Sequence, residues 1–439
     1  MKKAITVLLS VAMAAAAAGC GSGGGSAPSD GQQASGGGSG SGDPVKLRIA
    51  WWGGQARHDY TLKVIEMYEK QNPNVKIETE YASFDDYWKK LAPQAAANQL
   101  PDIIQMDISY LTQYGGRGQL EDLTPYTKNG LLDVSSVSPN TIAGGQIDGK
   151  LYAMTTGVNA LASIMDWEML KQAGVEVPLN KNWTWDDLDA LAAKMKSAGK
   201  LMGGMRHDVF FAYYLRTVDQ KMYSADGSKL GYEDDKHFID YFTRYKKWYD
   251  AGYLLSLDKE ATKKGTPEDD EMVLGNSISS NGWSNQFLGL ANAAKRPLEL
   301  QPMPGPNAEK GMFLKPSMYF SVTTNSRQKE EAVKFINFFI NDIEANKLIK
   351  GERGVPVSSK VKEALKPLLT PEEAKVFDYV AWAEENSSPM DPPNPIGSIE
   401  VEKLLKDTSE QILYNKISVE DAAAKFRKEA NAILAKNKK

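Results

Sequence analysis

Between residues 45 and 107 the hydrophobic period switches back and forth, and this alternation restricts the fold more than any other feature of the chain. Leu47, Ile49 and Trp51 alternate with Lys46, Arg48 and Ala50, the period of two expected of a strand over Val45 to Trp52. Residues 57–71 carry Leu62, Ile65 and Tyr68 at helical spacing, and Asn72-Pro73 stops that helix. Val75, Ile77, Thr79 and Tyr81 alternate again, and Asp85 to Gln99 reads as a second helix. Pro101 then opens the run "PDIIQMD", a short apolar segment suited to a buried parallel strand. A β-α-β-α-β start predicts a doubly wound α/β lobe, in which ligands bind beyond the carboxyl ends of the strands. Those ends are Trp51-Trp52-Gly53-Gly54, Tyr81-Ala82-Ser83 and Met106-Asp107. Adjacent tryptophans on a regular strand point to opposite faces, so one packs in the core and the other, beside Gly53, reaches the cleft. Trp52 is the expected cleft residue, with Trp51 the alternative. Arg57, opening the next helix, is placed to bond ligand hydroxyls or a carboxylate, or to form a surface ion pair.

The amino terminus reads as a processing segment. Lys2 and Lys3 precede the apolar run Ala4 to Ala18, which is too short for a convincing membrane span. The run ends at Ala17-Ala18-Gly19-Cys20, which resembles a bacterial lipobox, although that pattern usually has Leu where Ala17 stands. The resemblance implies a signal peptide over 1–20 and a lipid-modified Cys20; the alternative is an ordinary signal peptide. Cys20 is the only cysteine, which excludes an intramolecular disulfide and a cysteine-cluster metal site. Residues 21–44 are almost all Gly, Ser, Gln and Ala, too poor in apolar groups to fold, and read as a tether reaching roughly 25 Å.

The remainder is about 400 residues, more than one hydrophobic core usually serves, so two lobes are expected. Without Lys2 and Lys3 the 52 basic residues become 50, against 56 acidic ones, a net charge of −6. An acidic surface without a basic stripe argues against nucleic acid as a partner.

Farther along, Asp148-Gly149 marks a hairpin turn, and "NWTWDDLDALAAKM" is a helix with Thr184 as N-cap and Asp187 three residues on. Residues 237–250 form an aromatic amphipathic helix and 329–349 a strong helix carrying Ala332, Phe335, Ile336 and Phe339; "GERGVPVS" interrupts at 351–358. Trp88 reads as packing beneath its own helix, with reach into the cleft as the alternative, and Trp167, Trp183, Trp185, Trp248 and Trp382 read as packing residues.

The ordered set "PDIIQMDISYLTQYGGRGQLEDLTPY", "DGKLYAMTTGVNALASIMDWEMLKQAG", "NWTWDDLDALAAKM" and "RGVPVS" resembles the extracellular solute-binding proteins of bacterial ABC sugar importers, the group that includes maltose- and multiple-sugar-binding proteins. The resemblance covers essentially all of residues 45–439. It implies a two-lobed α/β, periplasmic-binding-protein-like (type II) fold, with a first crossing near Gly157 to Ala160 and a return near Lys315 to Phe320. It divides the chain into a first lobe of 45–158 and 315–366 and a second of 159–314 and 367–439. It further implies a carbohydrate ligand held between the lobes, a permease as partner, a monomer, no cofactor and no bound metal, and a location on the outer face of the membrane through Cys20.

The resemblance also carries candidate ligand contacts. Asp107 falls where relatives place a sugar-binding aspartate. Asn159 matches a ligand-binding glutamate, keeping hydrogen bonding without the charge. Trp283, in "NGWSNQF", matches a stacking tryptophan. Tyr319 in the return crossing and Arg353 in "ERGVPV" complete the set with Trp52, Gly53 and Arg57. Pyranose rings offer apolar C–H faces to aromatic rings and hydroxyl rims to charged or amide groups. Arg57 and Arg353 leave uronic-acid sugars open.

Two rival classes have weaker support. An enzyme is disfavoured because no GxSxG elbow, HExxH or P-loop occurs, and His58, His207 and His237 show no ligand spacing. A ferric-ion carrier would use adjacent tyrosines, but Tyr213-Tyr214 sits in "VFFAYYLR", apolar on both sides and suited to a buried helix.

Overall fold

The computed structural model describes residues 44–177 and 179–437. The lipidation expected at Cys20 and residues 21–43 of the expected tether lie outside the described residues.

Strand β1 (Val45–Trp52) pairs in parallel with β2 (Val75–Ala82) and β3 (Ile103–Met106), and helices α1 (Gln55–Gln71) and α2 (Phe84–Ala96) make the crossovers. The expected β-α-β-α-β start is therefore present. The alternation in β1 separates the two tryptophans as pleating requires. Trp51 packs with Tyr60, Val64 and Ile65 of α1, and Trp52 packs on the other face with Tyr87, Trp88 and Leu91 of α2. Helix α1 begins two residues earlier than its spacing suggested, and its buried stripe is Tyr60, Thr61, Val64, Ile65 and Tyr68. Leu62, expected on that stripe, is instead exposed, one position off the face that meets the sheet. Helix α2 ends at Ala96 rather than Gln99, because the chain turns into the left-handed region at Asn98 (φ 53°).

The hairpin expected at Asp148-Gly149 joins β4 (Gln146–Ile147) to β5 (Lys150–Leu151). Both turn residues have positive φ, 50° and 76°, as a two-residue turn of the twist-matched kind demands. Next comes β6 (Met154–Met165), twelve residues buried throughout. Its Met154–Ala160 half pairs antiparallel with β9 (Leu314–Val322). Its Leu161–Met165 half pairs with β7 (Ser279–Trp283), and its last three residues also with β8 (Glu299–Gln301). Strand order in this seven-stranded sheet is β2-β1-β3-β9-β6-β7, with β8 on β6. One strand thus runs from the first half of the molecule into the second, and β9 returns beside it to pair with β3. Two irregularities interrupt the β6–β9 ladder, at Thr155/Gly157 and Gly157/Val158.

A separate apolar core gathers helices His207–Thr217, Lys236–Asp250, Ser398–Leu413 and Val419–Asn437, through Phe211, Phe238, Phe242, Val401, Leu405 and Phe426. Thr184 and Asp187 form the reciprocal capping box expected of them. The helix expected over 329–349 is two helices, Lys329–Asn341 and Ile343–Ile349. Asp342 leaves helical geometry at ψ 124° and accepts from the Ala345 N–H at 2.8 Å, capping the second.

Candidate functional site

The carboxyl ends of β1 to β3 carry an aromatic nest. Trp52 lies against Phe84, Tyr87 and Trp88 at ring separations of 5.3, 5.3 and 5.8 Å, and Trp88 stacks on Tyr110 at 3.7 Å. Trp52 is only 8 % exposed. Its expected free face in the cleft is taken up by rings from α2, which corrects the reading of that residue. Gly53 is required by the neighbouring side chain, since a Cβ there would lie 2.5 Å from Arg57 Cδ. Arg57 resolves as an ion pair: its fork reaches Glu352 at 2.9 Å on two nitrogens and donates to the Trp52 carbonyl. Tyr60 Oη donates to the same carboxylate at 2.5 Å.

Arg353 and Tyr319 lie inside the protein, both with no exposed surface. Tyr319 Oη donates to the Gly144 carbonyl at 2.8 Å. Arg353 donates to Gln105 and, at 3.0 Å, to Thr61, with Tyr60, Phe320 and Phe339 rings around its guanidinium. Burial lowers it from 12.5 to about 10. The two arginines that left uronic-acid sugars open are both committed to protein partners.

The remaining candidates, Asp107, Asn159 and Trp283, converge on Lys315 of β9. Asp107 caps the helix α3 (Ile108–Gly116), accepting from the Ser109 N–H at 2.9 Å. Asn159 stands opposite Lys315 in the β6–β9 ladder; it is 5 % exposed and its Oδ1 is buried without a partner. Trp283, half-buried at the end of β7, carries the Lys315 ammonium 5.0 Å from its ring centre and meets Phe313 edge-on at 5.8 Å. Burial lowers Lys315, and the field of Asp107 opposes that shift.

Three charged residues not anticipated from the sequence join this group. Arg206, the N-cap of helix His207–Thr217, is ion-paired with Asp208. Glu402 is held by its helix, where Val401 and Leu405 are buried in the helical core and leave it half-exposed. Asn394 donates to Glu402 at 3.3 Å, and Thr112 of α3 bonds the Asn394 carbonyl at 3.1 Å. Burial, then Asp208 and Asp107, push the Glu402 carboxyl up to about 7 against the pull of Arg206 and Lys315. Lys315 was legible as part of the return strand; Glu402 sat on the polar face of an ordinary amphipathic helix and had no local signal. Tyr213, raised as a metal ligand, donates to the carbonyls of Met303 and Pro304 at 3.1 and 3.0 Å. Among the described residues no cluster of three or more His, Cys, Asp or Glu is placed to hold a metal ion.

Residues 63–375 match the family model described as bacterial extracellular solute-binding protein. The chain belongs to that family. This solute-binding protein is similar to a family 1 extracellular solute-binding protein from Alicyclobacillus acidocaldarius: 29% identity, TM-score 0.74, covering 90% of this chain and 100% of the other. It shares its fold with a periplasmic oligogalacturonide binding protein from Yersinia enterocolitica at 24% identity and a TM-score of 0.75, covering 90% and 100%. A carbohydrate ABC transporter substrate-binding protein of Streptococcus pneumoniae is 21% identical over 312 residues, 66% of this chain and 60% of that one.

Proposed function

We propose that this solute-binding protein captures a carbohydrate, an oligosaccharide in preference to a single sugar, between its lobes and delivers it to the permease of an ABC importer. The observation that carries this reading is the half-exposed Trp283 indole with the Lys315 ammonium 5.0 Å from its ring centre, where β6 and β9 pair, and Lys315 in turn lies in the field of Asp107, Arg206, Asp208 and Glu402. A flat aromatic face next to several hydrogen-bonding charges suits a pyranose, whose C–H face stacks and whose hydroxyls bond at the rim. The names of the Yersinia and Streptococcus relatives point the same way.

In this reading the first lobe comprises 45–158 and 315–366 and the second 159–314 and 367–439. A sugar that gains contacts to both in the closed arrangement shifts the population toward closure. Cys20 anchors the mature chain by lipid to the outer face of the membrane, and the protein acts as a monomer without cofactor.

The test is a titration of residues 44–439 with neutral, amine-bearing and uronic-acid oligosaccharides, following tryptophan fluorescence and Tm. Saturable quenching with a rising Tm is expected; ligand at 100 times Kd adds about 2.7 kcal/mol of stability. No response to any sugar refutes the reading. Glu402, with its carboxyl near 7 beside other carboxylates, also has the look of a general acid. Chromatography of the same mixtures is expected to show every sugar intact, and cleavage products would make the chain an enzyme.

A further inference from the structure

The charges that act on one another at Glu402 and Lys315 do not balance. Asp107, Asp208 and Glu402 supply three carboxylates; Arg206 and Lys315 supply two cations. The other arginines near the site are already engaged. Arg216 is ion-paired to Asp391 at 2.7 Å and bonded to Ser388, Pro389 and Gly311, with its guanidinium 5.0 Å from the Phe313 ring centre. Arg57 is locked onto Glu352, and Arg353 is enclosed.

A ligand carboxylate entering here finds an excess of like charge and no spare guanidinium fork, the group that best recognises a carboxylate. Like charges brought together at a recognition site are a source of discrimination. Glu402 lies at the centre of the imbalance: Asn394, itself bonded by Thr112 of α3, donates to it at 3.3 Å, its helix shares an apolar core with helix His207–Thr217, and the charges of Asp107, Asp208, Arg206 and Lys315 act on it. Resting on the carbohydrate reading, we propose that Glu402 is a specificity-determining residue, through which the site rejects uronic-acid sugars and takes oligosaccharides that are neutral or amine-bearing. The fold shared with an oligogalacturonide binder then serves a cargo of the opposite charge preference.

The experiment measures Kd by calorimetry at pH 8 for wild type and Glu402→Gln. The probes are the neutral and amine-bearing oligosaccharides of the titration panel, each beside a counterpart oxidised to the uronic acid, with digalacturonic acid against galactobiose as one pair. In wild type the binders should be neutral or amine-bearing, and oxidation should weaken binding about tenfold or more. Glu402→Gln should recover most of that loss, read as the ratio of the acidic to the neutral Kd within each pair, whatever the variant does to the neutral partner alone. Tighter binding of the uronic acid by wild type overturns the proposal without any need for the variant. Unchanged discrimination in Glu402→Gln overturns the role of that residue. If no sugar of any charge binds, the carbohydrate reading falls and this inference falls with it.

Discussion

Arg353 decides whether the glycine-flanked loop at 351–358 serves the ligand or the fold, and the two roles predict opposite results for one substitution. Its guanidinium is fully enclosed and lowered to about 10 by burial, which corresponds to on the order of 3 kcal/mol of desolvation left unrepaid. Replacing it with methionine removes that cost and keeps an apolar stem against Tyr60, Phe320 and Phe339. The same change strands Gln105 and Thr61, both fully buried, at about 1–3 kcal/mol each. The two effects nearly cancel, so Arg353→Met should lose about 1 kcal/mol. Arg353→Ala strands the same partners and also opens a cavity, for a total of about 4 kcal/mol or more. With about 2 °C per kcal/mol for a chain of this size, the expected drops in Tm are about 2 °C and about 8 °C. Differential scanning calorimetry measures both, with sugar titrations on the same samples. Sugar affinity should be unchanged in Arg353→Met. A tenfold loss of affinity at unchanged Tm would refute the structural role and return Arg353 to the ligand.

Trp283→Ala should weaken sugar binding by about tenfold to a hundredfold, by fluorescence or calorimetry, because the stacking face is lost; an unchanged Kd removes Trp283 from the site. Glu402 confers a pH dependence whose sign follows from its raised carboxyl. The folded protein holds a proton that the unfolded chain releases between 4.5 and about 7, so stability declines as pH rises through that window. The Tm difference between Glu402→Gln and wild type should therefore shift in favour of the variant across that interval and stay level above it; a difference independent of pH contradicts the assignment. Gly157→Ala places a Cβ 2.2 Å from the Arg353 carbonyl oxygen and should cost about 1–3 kcal/mol, seen as a lower Tm, since backbone rather than a flexible side chain must move.

The alternating periods of residues 45–107 were enough to anticipate the parallel strands and their crossovers, because each element is specified by its own residues. The opposed faces of Trp51 and Trp52 were equally legible. What covers Trp52 was not, since Phe84, Tyr87 and Trp88 reach it from α2, beyond α1 and β2 in the chain, with Tyr110 of α3 stacked behind Trp88. The loop "GERGVPVS" has the composition of an exposed turn, yet Gln105 and Thr61, distant in sequence, draw Arg353 inward. The split at Asp342 was masked by apolar spacing that continues across it, although an Asn-Asp pair before an isoleucine is a readable cap signal. Lys315 and Glu402 come within reach of each other's charge only because β9 and the helix Ser398–Leu413 arrive from far apart in the chain, a placement that no local pattern encodes.

The paired strands β6 and β9 have a mechanical consequence. Two separate linkers would let the halves of the molecule twist, slide and splay independently. A hydrogen-bonded ribbon resists sliding along its length and yields chiefly by bending. The bend is easiest where the ladder already slips, at Thr155 to Val158, and there Val355 exchanges two backbone bonds with Val158, at 2.8 and 2.9 Å. In the two-lobe reading proposed above, opening would resemble a stiff leaf spring clamped near one end more than a ball joint. Its travel reduces to one angle, and a receptor that gauges that angle alone can tell a loaded molecule from an empty one.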